Sequence, residues 1–293
     1  DVLVLDPSSD FEARGKLFAE AISASPNDDE VLMLYARFWL MEIGQMGEAS
    51  RMLSRAFETD PYSELLTSTY VEALGHSGDA KGIEAVIDQR RGDWPEVDSF
   101  WSFIVSIHLA NRDFKAARDA LTKLIAFIDG ASEKFPEKDL QSFKGLINDI
   151  VNALESGDKT LIDKVAAEGR SQLSRGQAEA QQALHLLSWL GLADEAMKAA
   201  ETLYVDRGFG SERSPSHAIP SHYPYGRPTT APLLSHDGIP LQRDRRIWTI
   251  FAKIGLAKYW MDSGQWPDFC SEPSLGYDCR EEAGKALEAL KIN

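Results

Sequence analysis

The chain is predicted to be all-α, built from antiparallel helix pairs, and three observations carry that prediction. Apolar residues recur at i, i+3, i+4 and i+7 along most of its 293 residues, the period of an amphipathic helix. Period-two alternation, the mark of a half-buried strand, is confined to the first few residues, Val2, Leu3, Val4 and Leu5. Landmark residues also recur at a fixed spacing: Pro61 and Pro95 lie 34 residues apart, as do Gly44 and Gly78.

Taken in order, the segment DFEARGKLFAEAISASP opens the helical part. Phe11, Leu17, Phe18, Ala21 and Ile22 share a face, Asp10 stands at the N-cap and Pro26 stops the helix. The same pattern predicts helices near 29–43, 46–58, 63–76, 79–91, 97–110, 113–128, 138–155, 158–173, 176–190, 193–205, 244–262 and 279–290. With Glu30, Glu64 and Asp98 as position 1 of three successive 34-residue units, position 20 is Ala49, Ile83 and Ala117. Position 24 is then Leu53, Ile87 and Leu121, and position 27 is Ala56, Arg90 and Leu124. The spacing A-x3-L-x2-A-x4-P stands in full as Ala49, Leu53, Ala56 and Pro61, and part of it recurs as Phe18, Ala21 and Pro26. A small side chain at position 20 lets the second helix approach the first, the large one at 24 fills the seam, and the proline turns the chain into the next unit.

This pattern resembles the tetratricopeptide repeat. The resemblance covers 10–128 and returns in ALHLLSWLGLADEAMKAAETLY, with Leu184, Leu187, Ala196, Ala200 and Leu203 in the matching roles. It implies a right-handed α-solenoid of helix pairs. The units diverge from the family pattern: position 8, usually small, is Arg37, Val71 and Val105, and position 11, often Tyr, is Leu40, Leu74 and His108. The chain divides into four regions: repeats over 1–128, divergent helical hairpins continuing the solenoid over 129–205, a Pro/Gly-rich strap over 206–243, and C-terminal capping helices with a cysteine-containing loop over 244–293. The strap holds Pro215, Pro220, Pro224, Pro228, Pro232 and Pro240 and shows no helical pattern. Tyr223, Tyr225, Leu233 and Leu234 make it apolar enough to dock on the repeats.

The C-terminal part is similar to the closing segment of bacterial tetratricopeptide proteins in which a winged-helix DNA-binding or nucleotide-cyclase module precedes the repeats. The shared features are the basic-aromatic stretch Arg243 to Trp248, the segment Gly255 to Trp260 and the turn Trp266 to Cys270. That similarity implies the sensing half of a transcriptional regulator, with an output module outside this chain. A free-standing repeat scaffold that gathers partner proteins is the alternative. Because repeats of that kind can follow a membrane anchor, the similarity also favours a periplasmic setting over a cytoplasmic one.

Composition narrows the function further. A net charge of −15 repels phosphate backbones, so direct nucleic-acid binding by this chain is not expected. No apolar run is long enough to span a membrane. There is no initiator Met and no basic-then-apolar start, so the chain reads as a fragment or a processed form. No phosphate loop, zinc-protease helix or nucleophile-elbow motif occurs, which points away from an enzyme and from a bound cofactor. Gly75-His76-Ser77-Gly78 falls at a turn between repeat helices, and Arg207-Gly208-Phe209-Gly210 follows no strand. His217, His222 and His236 could hold zinc only if the strap gathered them, and their spacing favours ordinary hydrogen bonding. Paired acids such as Asp28-Asp29-Glu30 and Glu281-Glu282 suit helix starts.

Candidate binding residues come from the repeat register. Positions 2, 5, 9, 12 and 13 of each first helix line the concave face in such repeats. They are Val31, Leu34, Phe38, Met41 and Glu42, then Leu65, Ser68, Glu72, Gly75 and His76, then Ser99, Ser102, Ser106, Leu109 and Ala110. None is Lys, Arg or Asn, which disfavours a clamp for a peptide carboxylate. The occupant is a protein or peptide, or a small ligand; alternatively Phe38 and Met41 are core, covered by the first helix or by the strap. Cys270 and Cys279, the only two cysteines, are close enough through Pro273 and Gly276 to bridge, with two buried thiols as the rival.

Overall fold

A computed structural model describes residues 11–130, 137–173, 177–206 and 230–292. Every regular element among the described residues is helical. The order is α1 (Phe11–Ala24), α2 (Asp29–Tyr35), α3 (Met46–Thr59), α4 (Glu64–Ser77), α5 (Ala80–Arg90), α6 (Trp101–Ala110), α7 (Phe114–Gly130), α8 (Glu137–Ser156), α9 (Lys159–Gln172), α10 (Gln177–Trp189) and α11 (Ala193–Glu201). Further on come α12 (Ala231–Leu234), α13 (Ile239–Gln242), α14 (Ile247–Lys253), α15 (Leu256–Ser263) and α16 (Cys279–Ile292). Neighbours in sequence pack on each other, α3 on α4, α6 on α7, α9 on α10 and α10 on α11.

Local chemistry sets the helix starts. Side chains of Asp28, Ser63, Asp79, Asp113 and Asp158 each accept from the backbone N–H three residues on, at 2.9–3.2 Å. Asp10 lies outside the described residues. Ala49, Ala117 and Ala196 are completely buried, as are Leu53 and Ile87. Arg90, at a position that takes Ala56 in the preceding unit, is also buried. Its guanidinium donates to Thr67 Oγ1 (2.8 Å), Asp93 Oδ2 (3.1 Å) and the carbonyl of Pro61. Those partners satisfy a charge that would otherwise be costly inside.

Several elements depart from the sequence expectation. The helix expected over 29–43 turns π-helical at Ala36–Leu40, and the one over 193–205 does so at Thr202–Asp206. A 3₁₀ segment, Pro95–Phe100, leads into α6. The single helix expected over 244–262 breaks between α14 and α15 at Gly255, whose φ is 90°. The strap, read as non-helical, contains α12, a 3₁₀ turn at His236–Gly238 and α13. Pro232 and Pro240 stand in the first turns of α12 and α13, where a missing N–H leaves no bond unmade, so they start helices instead of preventing them.

The C-terminal helices pack on α11 through α14 and also reach the first helix pair, where α15 meets α1. Trp260 Nε1 donates to the carbonyl of Ile43 (3.0 Å), and Asp268 N–H donates to that of Gly44 (2.8 Å). The Asp268 carboxylate in turn accepts from Gly47 N–H (2.7 Å). It caps α3, whose own N-cap residue Gln45 makes no side-chain cap. Trp248 sits among Phe251, Trp260, Trp266, Phe269 and Tyr277. A disulfide between Cys270 and Cys279 fastens the turn before α16.

Candidate functional site

The face formed by α2 with its π-helical extension, α4 and α6 holds the register positions singled out in the sequence. Leu34 and Phe38 are half-buried and pack against the main core. Ser68, Glu72, His76, Ser102 and Ser106 are likewise half-buried. Two of the serines turn inward on their own helices: Ser68 donates to Glu64 O and Ser102 to Ser99 O, both at 2.8 Å. Glu72 joins two elements. Its carboxylate meets Arg37 Nη2 at 3.4 Å and His76 Nε2 at 3.8 Å, while the Arg37 guanidinium lies 5.7 Å from the Phe38 ring centre. Arg37, Glu72 and His76 therefore form a polar line that runs from the π-helical turn Ala36–Leu40 onto α4.

Met41 and Glu42 are buried at the edge of this face, where the described part of the strap meets it. Thr230 Oγ1 donates at 2.6 Å to the Glu42 carbonyl, and it lies 2.9 Å from the Glu42 carboxylate. The strap thus covers that end, and an open groove does not extend over Met41 and Glu42; they are core. Arg14, from α1, approaches the same region. Its Nη2 donates to Phe38 O (2.9 Å), and its guanidinium lies over Phe11 and Trp39. Burial pushes Arg14 below the usual arginine value, and Glu42 opposes that shift.

The strap also meets α4, α6 and α10 at its 3₁₀ turn. His185 Nε2 donates to Pro232 O (2.7 Å), Trp189 Nε1 to Asp237 O (3.1 Å), and His236 Nε2 to Asn111 Oδ1 (3.0 Å). The Asp237 carboxyl is pushed above the usual aspartate value by burial, while His185, His76 and His236 pull it down. Burial holds His185 and His236 below the usual histidine value, with Asp237 opposing. His217 and His222 lie outside the described residues, as does Arg207-Gly208-Phe209-Gly210. Among the described residues no cluster of three His, Cys, Asp or Glu has the geometry to hold a metal. Gly75, His76 and Ser77, expected at a turn, belong to the last turn of α4, and Gly78 is its left-handed C-cap; Ser77 Oγ donates to Leu74 O (3.0 Å), and His76 turns toward Glu72.

The structure therefore brings together Glu72 and His76 from the expected set and keeps Ser102 and Ser106 apart on α6. Sequence reasoning missed Arg37, Arg14, Thr230, His185 and Asp237 as members of this region. Arg37 carried a signal, a charged side chain within the otherwise apolar stretch 31–41. Thr230 and Asp237 carried none, since they arrive from a distant part of the chain. Comparison with protein-family models, with curated proteins and with solved structures returns no match.

Proposed function

We propose that the chain is a non-catalytic binding module of tetratricopeptide type, the ligand- or protein-sensing part of a bacterial transcriptional regulator. The Arg37–Glu72–His76 line carries this reading. It spans two first helices of successive units on the face that such repeats turn toward their partners, and it lies half-buried beside Phe38 and Leu34. Charges in a partly desolvated face select a partner of complementary charge more than they add raw affinity. The buried alanines at position 20 support the repeat register behind this assignment. A net charge of −15 supports recognition of a protein, peptide or small ligand in preference to nucleic acid.

Among the described residues no helix is long and apolar enough to cross a membrane. The disulfide supports an oxidising compartment, which we read as the periplasm. Native mass spectrometry of the purified chain, followed by a thermal-shift screen of peptides and metabolites, tests the reading. A retained or stabilising species whose binding weakens in Glu72→Gln is the expected result. Binding indifferent to Glu72→Gln and Arg37→Gln, or turnover of a screened compound, would remove it.

A further inference from the structure

A second feature lies where α9, α10 and α11 meet. A cavity of about 340 Å³ opens there, walled by Leu173, Ala180, Leu187 and Leu203. Ala180, Leu187 and Leu203 are buried, whereas the polar lining residues Glu195, Lys198 and Thr202 reach solvent, so the polar groups mark the open side. Both oxygens of Glu195 are engaged by Arg170, at 2.6 and 2.8 Å, which neutralises that carboxylate. Lys198 makes no ion pair among the described residues. Among the described residues Lys198 is therefore the lining charge that meets no opposite partner, in a chain whose net charge is −15.

Size and chemistry together narrow the ligand. The volume is at the small end of ligand sites, which run from about 300 to 1,000 Å³, so one short apolar body fits and a dinucleotide or a folded peptide does not. An ammonium offers three donors and no acceptor, so the group that meets Lys198 must accept, and the Thr202 hydroxyl can donate to the same group. A carboxylate meets that demand with charge-assisted hydrogen bonds. An independent feature marks the same place: the π-helical turn Thr202–Asp206 begins at the cavity wall, and such insertions occur frequently at functional sites.

We infer that this cavity binds a small amphiphilic carboxylic acid, its short apolar body against Leu187 and Leu203 and its carboxylate on Lys198 and Thr202. The site is separate from the Arg37–Glu72–His76 line, so it stands or falls independently of the proposed function. Isothermal titration of the full chain with octanoate, octanol and octylamine provides the test. Octanoate should bind saturably with a Kd of about 1 mM or below, and octylamine should bind at least about tenfold more weakly. Lys198→Met, at an exposed position, should weaken octanoate about tenfold and leave octanol unchanged. Glu72→Gln should change neither. No saturable octanoate binding, equal affinity for octylamine, indifference to Lys198→Met, or sensitivity to Glu72→Gln would each overturn the assignment.

Discussion

Gly44→Ala probes the seat of the C-terminal turn on the first helix pair. Gly44 has φ of +84°, and a Cβ added there would stand 2.5 Å from Pro267 Cβ and 3.3 Å from Leu234 Cδ1. Two costs therefore add. A left-handed conformation costs a non-glycine residue about 1–2 kcal/mol. Overpacking against a proline ring that cannot swing aside costs about 1–3 kcal/mol more. Gly191 is the matched control: it turns the chain between α10 and α11 with φ of +77°, and nothing lies within 4 Å of its added Cβ. Gly191→Ala should therefore lose only the conformational share. Urea unfolding followed by tryptophan fluorescence would read both variants, with the slope of the transition checked for constancy. We expect Gly44→Ala to be the worse by about 1–3 kcal/mol, and Pro267→Gly to recover part of that excess in the double variant. Equal losses at the two glycines would mean that Pro267 does not rest on Gly44 and that the contact between chain ends is wrong.

Three further outcomes test other parts of the structure. Ala49→Leu, at a fully buried helix contact, should cost about 1–3 kcal/mol in the same assay; an unmoved midpoint would put the repeat register in error. Reduction of Cys270–Cys279 should lower stability by about 2–3 kcal/mol in the chain-entropy model, and calorimetry with and without reductant that shows no difference would deny the turn that role. Stability should also fall with acidification from about pH 7 to pH 5, because burial holds His185 and His236 below the ordinary histidine value and the unfolded chain takes up protons first. Asp237, raised by burial, acts in the opposite sense, so the comparison rests on His185→Gln, which should flatten the slope; an unchanged slope would exclude His185 as its source.

What the sequence reveals here is what lies close along it. The helix starts read near 29, 63, 79 and 158 coincide with caps by Asp28, Ser63, Asp79 and Asp158 three residues away, and Ala49, read as a small contact residue, is fully buried. The cysteine pair is legible for the same reason, nine positions apart with no competitors. The π-helical turns are hidden because the apolar residues on either side keep the helical period. α12 and α13 are hidden because a proline has two meanings, a breaker inside a helix and a starter in its first turn, and only the packing of Leu233, Leu234 and Leu241 decides between them. At the candidate face, the register finds Glu72 and His76, whereas the cover over Met41 and Glu42 comes from Thr230, 188 residues beyond Glu42.

That distance has an energetic consequence. In an array whose units touch only their neighbours, stability is close to a sum over repeats and interfaces, and damage to one unit stays local. Here one apolar cluster runs from Phe11, Trp39 and Met41 through Leu187 and Tyr204 to Leu233, Trp248 and Trp260. Asp268 caps α3 across 221 residues, and Trp260 closes on Ile43 across 217. The N-terminal and C-terminal helices thus share a core, and the described part of the strap adds Ala231, Leu233, Leu234 and Leu241 to it. Glu42 links this shared core to the strap. Buried beside Arg14 and bonded to Thr230, it is held by first-helix and strap contacts together, so an event that shifts the strap must either carry Glu42 along or strand a carboxylate in a dry site. The Arg37–Glu72–His76 line begins in the π-helical turn that ends one residue before Met41. The backbone that carries Arg37 is therefore continuous with Glu42, the residue on which the described part of the strap is anchored.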